Sequence, residues 1–123
     1  MIMNDISFTQ TILVSQNHTA EKLGSGLLPV FSTPAMIALM ENTAMKCMGD
    51  IGEGNSSVGT EINVKHLKAS KVGAEISCKA SVTAIEGRKY TFRLVVTDAN
   101  ENIVGEGTHQ RVIIDVDKFM SKL

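Results

Sequence analysis

The stretch Phe31-Ser32-Thr33-Pro34-Ala35-Met36-Ile37-Ala38-Leu39-Met40-Glu41-Asn42-Thr43-Ala44-Met45-Lys46-Cys47-Met48-Gly49 decides the architecture. Its start carries helix-initiating chemistry. Ser32 or Thr33 can cap the first turn with a side-chain oxygen, and Pro34 suits the first helical position, where no N–H is needed. Gly49 or Gly52 can end the helix. Between these marks Ala, Met, Ile and Leu occupy nearly every side, the pattern of a helix enclosed by protein. Glu41 stands in the middle of it. A carboxylate in such surroundings is costly unless it has a partner or a task, which makes it the first candidate for chemistry. The competing reading is a structural carboxylate bonded to Asn63 or Lys65 of a neighbouring strand.

Outward from the helix, apolar and polar residues alternate. Ile6 to Val14 reads as a strand with Ile6, Phe8, Gln10, Ile12 and Val14 on one face. Ser15 to Leu28 breaks the pattern and reads as a loop with one helical turn around Thr19 to Leu23. Leu27-Leu28-Pro29-Val30-Phe31 is expected to line the core, the alternative being a flap over a pocket. After the helix, Asp50 to Ser57 is a loop by composition. Val58 to Leu67 alternates, placing Val58, Thr60, Ile62, Val64 and His66 on one face and Gly59, Glu61, Asn63 and Lys65 on the other. Glu75 to Ile85 points Ile76, Cys78, Ala80, Val82 and Ala84 inward. Glu86-Gly87-Arg88 is a hairpin loop, Lys89 to Asp98 a strand, and Ile103 to Asp115 a last strand bent or bulged near Gly105 and Gly107. Lys118 to Leu123 reads as a final helical turn. Strand, long helix, then four strands on short connections imply an antiparallel sheet. A helix apolar on all sides needs a curved sheet around it, and a second copy of the chain to complete its cover.

The totals bound the function. The chain has 123 residues, enough for one domain with a real core, and a net charge of −1. A nucleic-acid protein would carry a basic excess and stacking aromatics, yet aromatics are only 4%. Cys47 and Cys78 lie in apolar segments and read as buried thiols of a reducing, cytoplasmic compartment. The opening Met1-Ile2-Met3-Asn4-Asp5 lacks a secretory pattern, and no apolar run is long enough to cross a bilayer. The three histidines, His18, His66 and His109, are far apart, and no spacing suits a metal.

This order of elements resembles the hotdog fold, an α+β architecture in which a curved antiparallel sheet of about five strands wraps one long central helix. Within it the residues look most like the fluoroacetyl-CoA thioesterase family of acyl-CoA hydrolases. The matching pieces are Phe31-Ser32-Thr33-Pro34, Glu41 eight residues after Thr33, Val58-Gly59-Thr60-Glu61-Ile62-Asn63-Val64-Lys65-His66-Leu67 and Gly107-Thr108-His109-Gln110-Arg111. The resemblance implies a catalytic Thr33, Glu41 and His66, with Gly59 beside the acyl group and Arg111 in the active-site region. It does not extend to a preference for a fluorinated acyl group.

Read bottom-up, each residue has a bland alternative. The backbone N–H groups of Ala35 and Met36, at the positive end of the helix, can polarise a thioester carbonyl. Thr33 can be a nucleophile, a substrate-positioning group or only a cap. His66, on an apolar strand face, is by itself more often a core residue; the resemblance makes it the group that activates Thr33 or a water. Arg111 can hold an acyl oxygen or a phosphate, or form a structural ion pair. His109 beside it reads equally as a substrate contact or a surface residue, and His18 as a solvated loop residue. Lys65, Lys68 and Lys71 can meet the phosphates of coenzyme A, or can simply be a solvated face. Thr33 and Glu41 stand about 12 Å apart along the helix, too far to share one carbonyl carbon within a chain. The expectation is therefore a single domain, residues 1–123, forming a homodimer (a tetramer is left open) that hydrolyses an acyl-CoA. It would use no metal or organic cofactor, and no nucleic-acid or membrane partner. The alternatives are an acyl-thioester dehydratase on the same fold, or a non-catalytic acyl-CoA binding module.

Overall fold

A 15-residue helix, α2 (Thr33–Cys47), lies against a five-stranded antiparallel sheet in the computed structural model, which describes residues 6–123. Met1–Asp5, on which the absence of a secretory pattern was read, fall outside the described residues. The strands are β1 (Ser7–Leu13), β2 (Asn55–His66), β3 (Glu75–Glu86), β4 (Lys89–Asp98) and β5 (Ile103–Asp115), in the spatial order β1-β3-β4-β5-β2. The β3–β4 hairpin turns through Gly87, whose φ of +63° favours glycine. Before α2 come a short 3₁₀ turn (Gln16–His18) and α1 (Ala20–Leu23), and after β5 comes α3 (Val116–Ser121). No helix of the described residues is long and apolar enough to cross a membrane.

Periodicity explains the packing. Met36, Met40 and Ala44 recur every four residues on α2 and are fully buried. They meet Ile76, Cys78 and Ala80 of β3, with Phe92, Leu94 and Val96 of β4, all fully buried. Beyond Val82 the β3 register slips against β4, and the inward alternation fades. Cys47 and Cys78 are buried free thiols, and burial pushes the Cys78 thiol up to about 11.

Within one chain Pro34, Ala38, Asn42 and Met45 of α2 are exposed, in keeping with the expectation that one chain's sheet cannot cover the helix on every side. Two expectations need correcting. Phe31 is buried in the core, whereas Leu27 is 92% exposed, so the approach to α2 is core only at its end. On β2 the register slips between Gly59 and Glu61, and this bulge at Thr60 reverses the alternation. Gly59 thus shares a face with Ile62, Val64 and His66, where strict alternation puts it opposite. The irregularity expected near Gly105 is present: the register of β5 slips against β4 at Val104, while its pairing with β2 through Gly105 and Gly107 is regular.

The β5 glycines permit close approach. A Cβ on Gly105 would stand 2.5 Å from the Met36 Sδ and 2.9 Å from the Lys65 carbonyl oxygen. One on Gly107 would collide with the Asn63 carbonyl and the Val64 backbone, which cannot swing aside as a side chain can. Gly107→Ala is therefore expected to destabilise the fold by about 2 kcal/mol or more, an overpacking cost. Chemical denaturation measures it; a loss below about 0.5 kcal/mol, the range of an ordinary surface substitution, would show that β2 and β5 can separate freely.

Candidate active site

Ser32 caps α2: its Oγ accepts the Ala35 N–H at 3.1 Å and its carbonyl accepts the Met36 N–H at 3.0 Å. This has two effects. The capping task falls to Ser32, so the Thr33 hydroxyl is free for another partner. The Ala35 and Met36 donors, expected to face a carbonyl, are occupied within the cap, which corrects that reading. Pro34 has no N–H, and the backbone N–H of Thr33 has no partner among the bonds of the described residues.

The free hydroxyl of Thr33 finds His66. Thr33 Oγ1 lies 2.9 Å from His66 Nδ1. The imidazole comes from the end of β2 and stands edge-on to Phe31, with ring centroids 6.2 Å apart. Its Nε2 is buried without a hydrogen-bond partner. Burial lowers the His66 pKa, and the nearby Lys68 backbone offsets part of that. A hollow of about 340 Å³ opens beside the pair, lined by Ser32, Thr33, Pro34, His66, Leu67 and Lys68, among others. On the other flank of Pro34 a cleft of about 630 Å³ is lined by Gln10, Ile12, His18, Ala35, Ala38 and Leu39, among others.

Glu41 belongs to a second cluster. Its Oε2 lies 3.9 Å from Arg111 Nη1, and its side chain is 43% exposed within one chain. The carboxylate is thus at the rim of the core rather than inside it, and its neighbour is Arg111, not Asn63 or Lys65. Arg111 is buried on β5, where Nε donates to Ser57 Oγ at 2.9 Å and Nη2 to the Ser57 carbonyl at 3.0 Å. Desolvation lowers its pKa and the Glu41 charge raises it. Gly59, paired with Arg111 across the ladder, sits beneath the pair: a Cβ there would lie 2.9 Å from Glu41 Oε2 and 3.1 Å from His109 Cε1. Sequence reasoning treated His109 as a possible surface residue, but it is 1% exposed. The signal was available in its i, i+2 spacing from Arg111, once β2 is known to bulge.

The site residues therefore fall into two groups in one chain. Thr33 and His66 are together at the start of α2; Glu41, Gly59 and Arg111 are together two turns further on. Of the lysine cluster, Lys68 is engaged: its Nζ pairs with Asp98 at 2.6 Å. With the Asn100 and Asn102 N–H groups, that pairing holds the Asp98 carboxyl well below the usual carboxylate range. His18 is half-buried and accepts the Ser15 N–H at Nδ1, 2.9 Å. Among the described residues no group of three or more carboxylate, imidazole or thiol side chains is placed to hold a metal ion.

Comparison with known proteins identifies the family and the fold. The model of the fluoroacetyl-CoA-specific thioesterase family matches residues 14–117. The fluoroacetyl-CoA thioesterase of Streptantibioticus cattleyicolor is 36% identical over 95 residues, which is 76% of this chain and 68% of that protein. A solved structure of a fluoroacetyl-CoA thioesterase superposes with a TM-score of 0.91 at 29% identity, covering 99% of this chain and 95% of that one. A thioesterase-superfamily protein of Thermus thermophilus shares the fold, with a TM-score of 0.88 at 22% identity over 99% of this chain and 90% of that one. The chain belongs to the fluoroacetyl-CoA-specific thioesterase family, and is a thioester hydrolase built on the hotdog fold.

Proposed function

We propose that this protein cleaves an acyl-CoA at the Thr33–His66 pair and that Glu41 reaches that pair from a second copy of the chain. The observation that carries the reading is the 2.9 Å contact of Thr33 Oγ1 with His66 Nδ1, a nucleophile within reach of its base. A threonine hydroxyl that donates to Nδ1 requires the proton of the neutral ring on Nε2, and Nε2 is buried without an acceptor. A carboxylate is the natural acceptor there, holding the tautomer as in a catalytic triad. Glu41 of the same chain stands about 12 Å along the helix from Thr33, facing Arg111 at 3.9 Å. In a dimer the missing carboxylate comes from the other copy, and the exposed flank of α2 is covered at the same joint. The outer edge of β2 is available for pairing between copies.

In this reading His66 takes the Thr33 proton as the hydroxyl attacks the thioester carbon. The developing oxyanion faces the positive end of α2 and the free Thr33 N–H. The departing thiolate of coenzyme A takes the proton back from His66, and water releases the acid. Coenzyme A is part of the substrate, not a resident cofactor, and the side chains of a single domain, paired with its copy, supply the chemistry. One related structure, of a mutant fluoroacetyl-CoA-specific thioesterase, was determined with fluoroacetate and CoA, so short acyl-CoAs, fluorinated and not, head the substrate panel. The buried thiols Cys47 and Cys78 fit a reducing, cytoplasmic setting.

Thr33→Ala and His66→Ala are each expected to lower kcat/KM by about 10²- to 10⁴-fold, the usual worth of a positioned base or nucleophile. Released thiol from an acyl-CoA panel measures it; a loss under threefold for Thr33→Ala would end the nucleophile assignment. Because burial lowers the His66 pKa, the base should stay neutral somewhat below the ordinary histidine range. The rate should accordingly hold from neutrality downward and fall only on the acid side of that range. Mixing Thr33→Ala with Glu41→Gln protein should restore part of the activity once subunits exchange, since one of the two mixed sites is intact. Exchange without recovery would place all three residues in one chain's site. Gly59→Ala should keep the melting temperature within a few degrees, because Glu41 can move. By displacing that carboxylate it should cost at least about tenfold in kcat/KM, since misplacements of 1 Å reach 10²-fold.

A further inference from the structure

We infer that His109 is a positioning residue that holds the Arg111 guanidinium in place and away from Glu41; the consequence for catalysis rests on the thioesterase reading above. The imidazole is 1% exposed, and its ring stacks on Phe92 at 28° with centroids 6.1 Å apart, so its plane is fixed. Nδ1 lies 2.7 Å from the Glu61 carbonyl oxygen, beside the Thr60 bulge. A carbonyl only accepts, so Nδ1 carries the hydrogen. In the neutral ring Nε2 then bears a lone pair, and that lone pair faces Arg111 Nη1 at 3.3 Å. Burial and the adjacent Arg111 cation both favour the neutral form, while the backbone bond to Glu61 and the Glu41 charge oppose them. Arg111 and Glu41 are the charged groups that face this ring.

The guanidinium has five N–H groups. Ser57 takes one from Nε and one from Nη2, and His109 takes one from Nη1. Nη1 stands 3.9 Å from Glu41 Oε2, too long for a hydrogen bond. Three acceptors on one side thus hold the cation just short of closing on the carboxylate. Without the His109 lone pair, the second Nη1 position has no stop, and the guanidinium can swing onto Glu41 over Gly59. That closed pair would occupy the space beside Gly59 and draw Glu41 out of use. His109 does not touch the reacting atoms; it acts through Arg111.

The test is a set of variants with their double-mutant cycle. His109→Phe keeps the ring and its stacking on Phe92 but removes both nitrogens. It should lower kcat/KM at least tenfold. His109→Gln, which returns an acceptor toward Arg111, should recover to within about threefold of the natural chain. In an Arg111→Met background His109→Phe should change kcat/KM less than twofold. A tenfold loss that persists in that background, or a Gln variant no better than Phe, overturns the inference. A second arm needs no turnover and so separates this inference from the hydrolase reading. Nitrogen-15 NMR of the histidine rings in the intact protein should show His109 as the Nδ1–H form with Nε2 unprotonated at pH 7. An Nε2–H or doubly protonated ring there overturns it, whether or not any acyl-CoA is cleaved and whether or not His109→Phe folds.

Discussion

One hydrogen bond sets the rest in motion: the Ser32 hydroxyl accepting the Ala35 N–H at the start of α2. A helix start demands an acceptor for its orphan donors, and two adjacent hydroxyl residues compete for the role. Because Ser32 wins, Thr33 becomes the first helical residue, and its hydroxyl projects from a rigid first turn toward His66 instead of curling back on the backbone. The same cap satisfies the Ala35 and Met36 donors, so in the proposed mechanism polarisation of a bound carbonyl rests on the dipole end and the Thr33 N–H. Placement of the hydroxyl beside His66 and backbone satisfaction are therefore solved by two neighbouring side chains with separate tasks. That arrangement is stiffer than one shared hydroxyl could supply.

The second organising constraint is the close seating of β5 against β2 and α2. Gly105 and Gly107 leave no Cβ between the layers, so Met36 and the β2 backbone come near enough for the two strands to share a single inner face. Arg111 and His109 are carried on that face, and the Thr60 bulge turns Gly59 onto it. The result is a stretch of sheet with no side chain at the point where Glu41 comes down from the helix. A carboxylate, a guanidinium and an imidazole meet over one glycine, and β2 holds two of them, Arg111 through Ser57 and His109 through the Glu61 carbonyl.

Most of the fold was legible in the sequence, for a local reason. β4 and β5 match their expected bounds, and α2 starts at the residue pair its capping chemistry marks, because periodicity and caps are properties of neighbours. The family match confirms the reading of the hotdog fold and of thioester hydrolysis. Register slips were not legible. The Thr60 bulge leaves no compositional mark, and strict alternation placed Gly59 on the wrong face of β2. The exposure of Glu41 was also misjudged: apolar neighbours along a helix do not say how much of its circumference one sheet can cover. His109 looked equivocal because a histidine on a strand carries no sign of which face it takes until the register with the neighbouring strands is known. The occupancy of the Ala35 and Met36 donors follows from the capping choice between Ser32 and Thr33, which the chain alone left open.

The position of β2 at the margin of the sheet has a wider meaning. This 12-residue strand bears Ser57, Gly59 and His66, and it is hydrogen-bonded to a neighbour, β5, on one side only. A long bare margin of that kind is a template for any extended peptide, and proteins normally shield such margins. If, as proposed, a second copy covers this margin, dilution would do more than slow turnover: it would uncover a sticky strip running past Ser57, Gly59 and His66. On that proposal, solubility and the strand's share of the site are written into the same twelve positions, so a change that loosens one endangers the other.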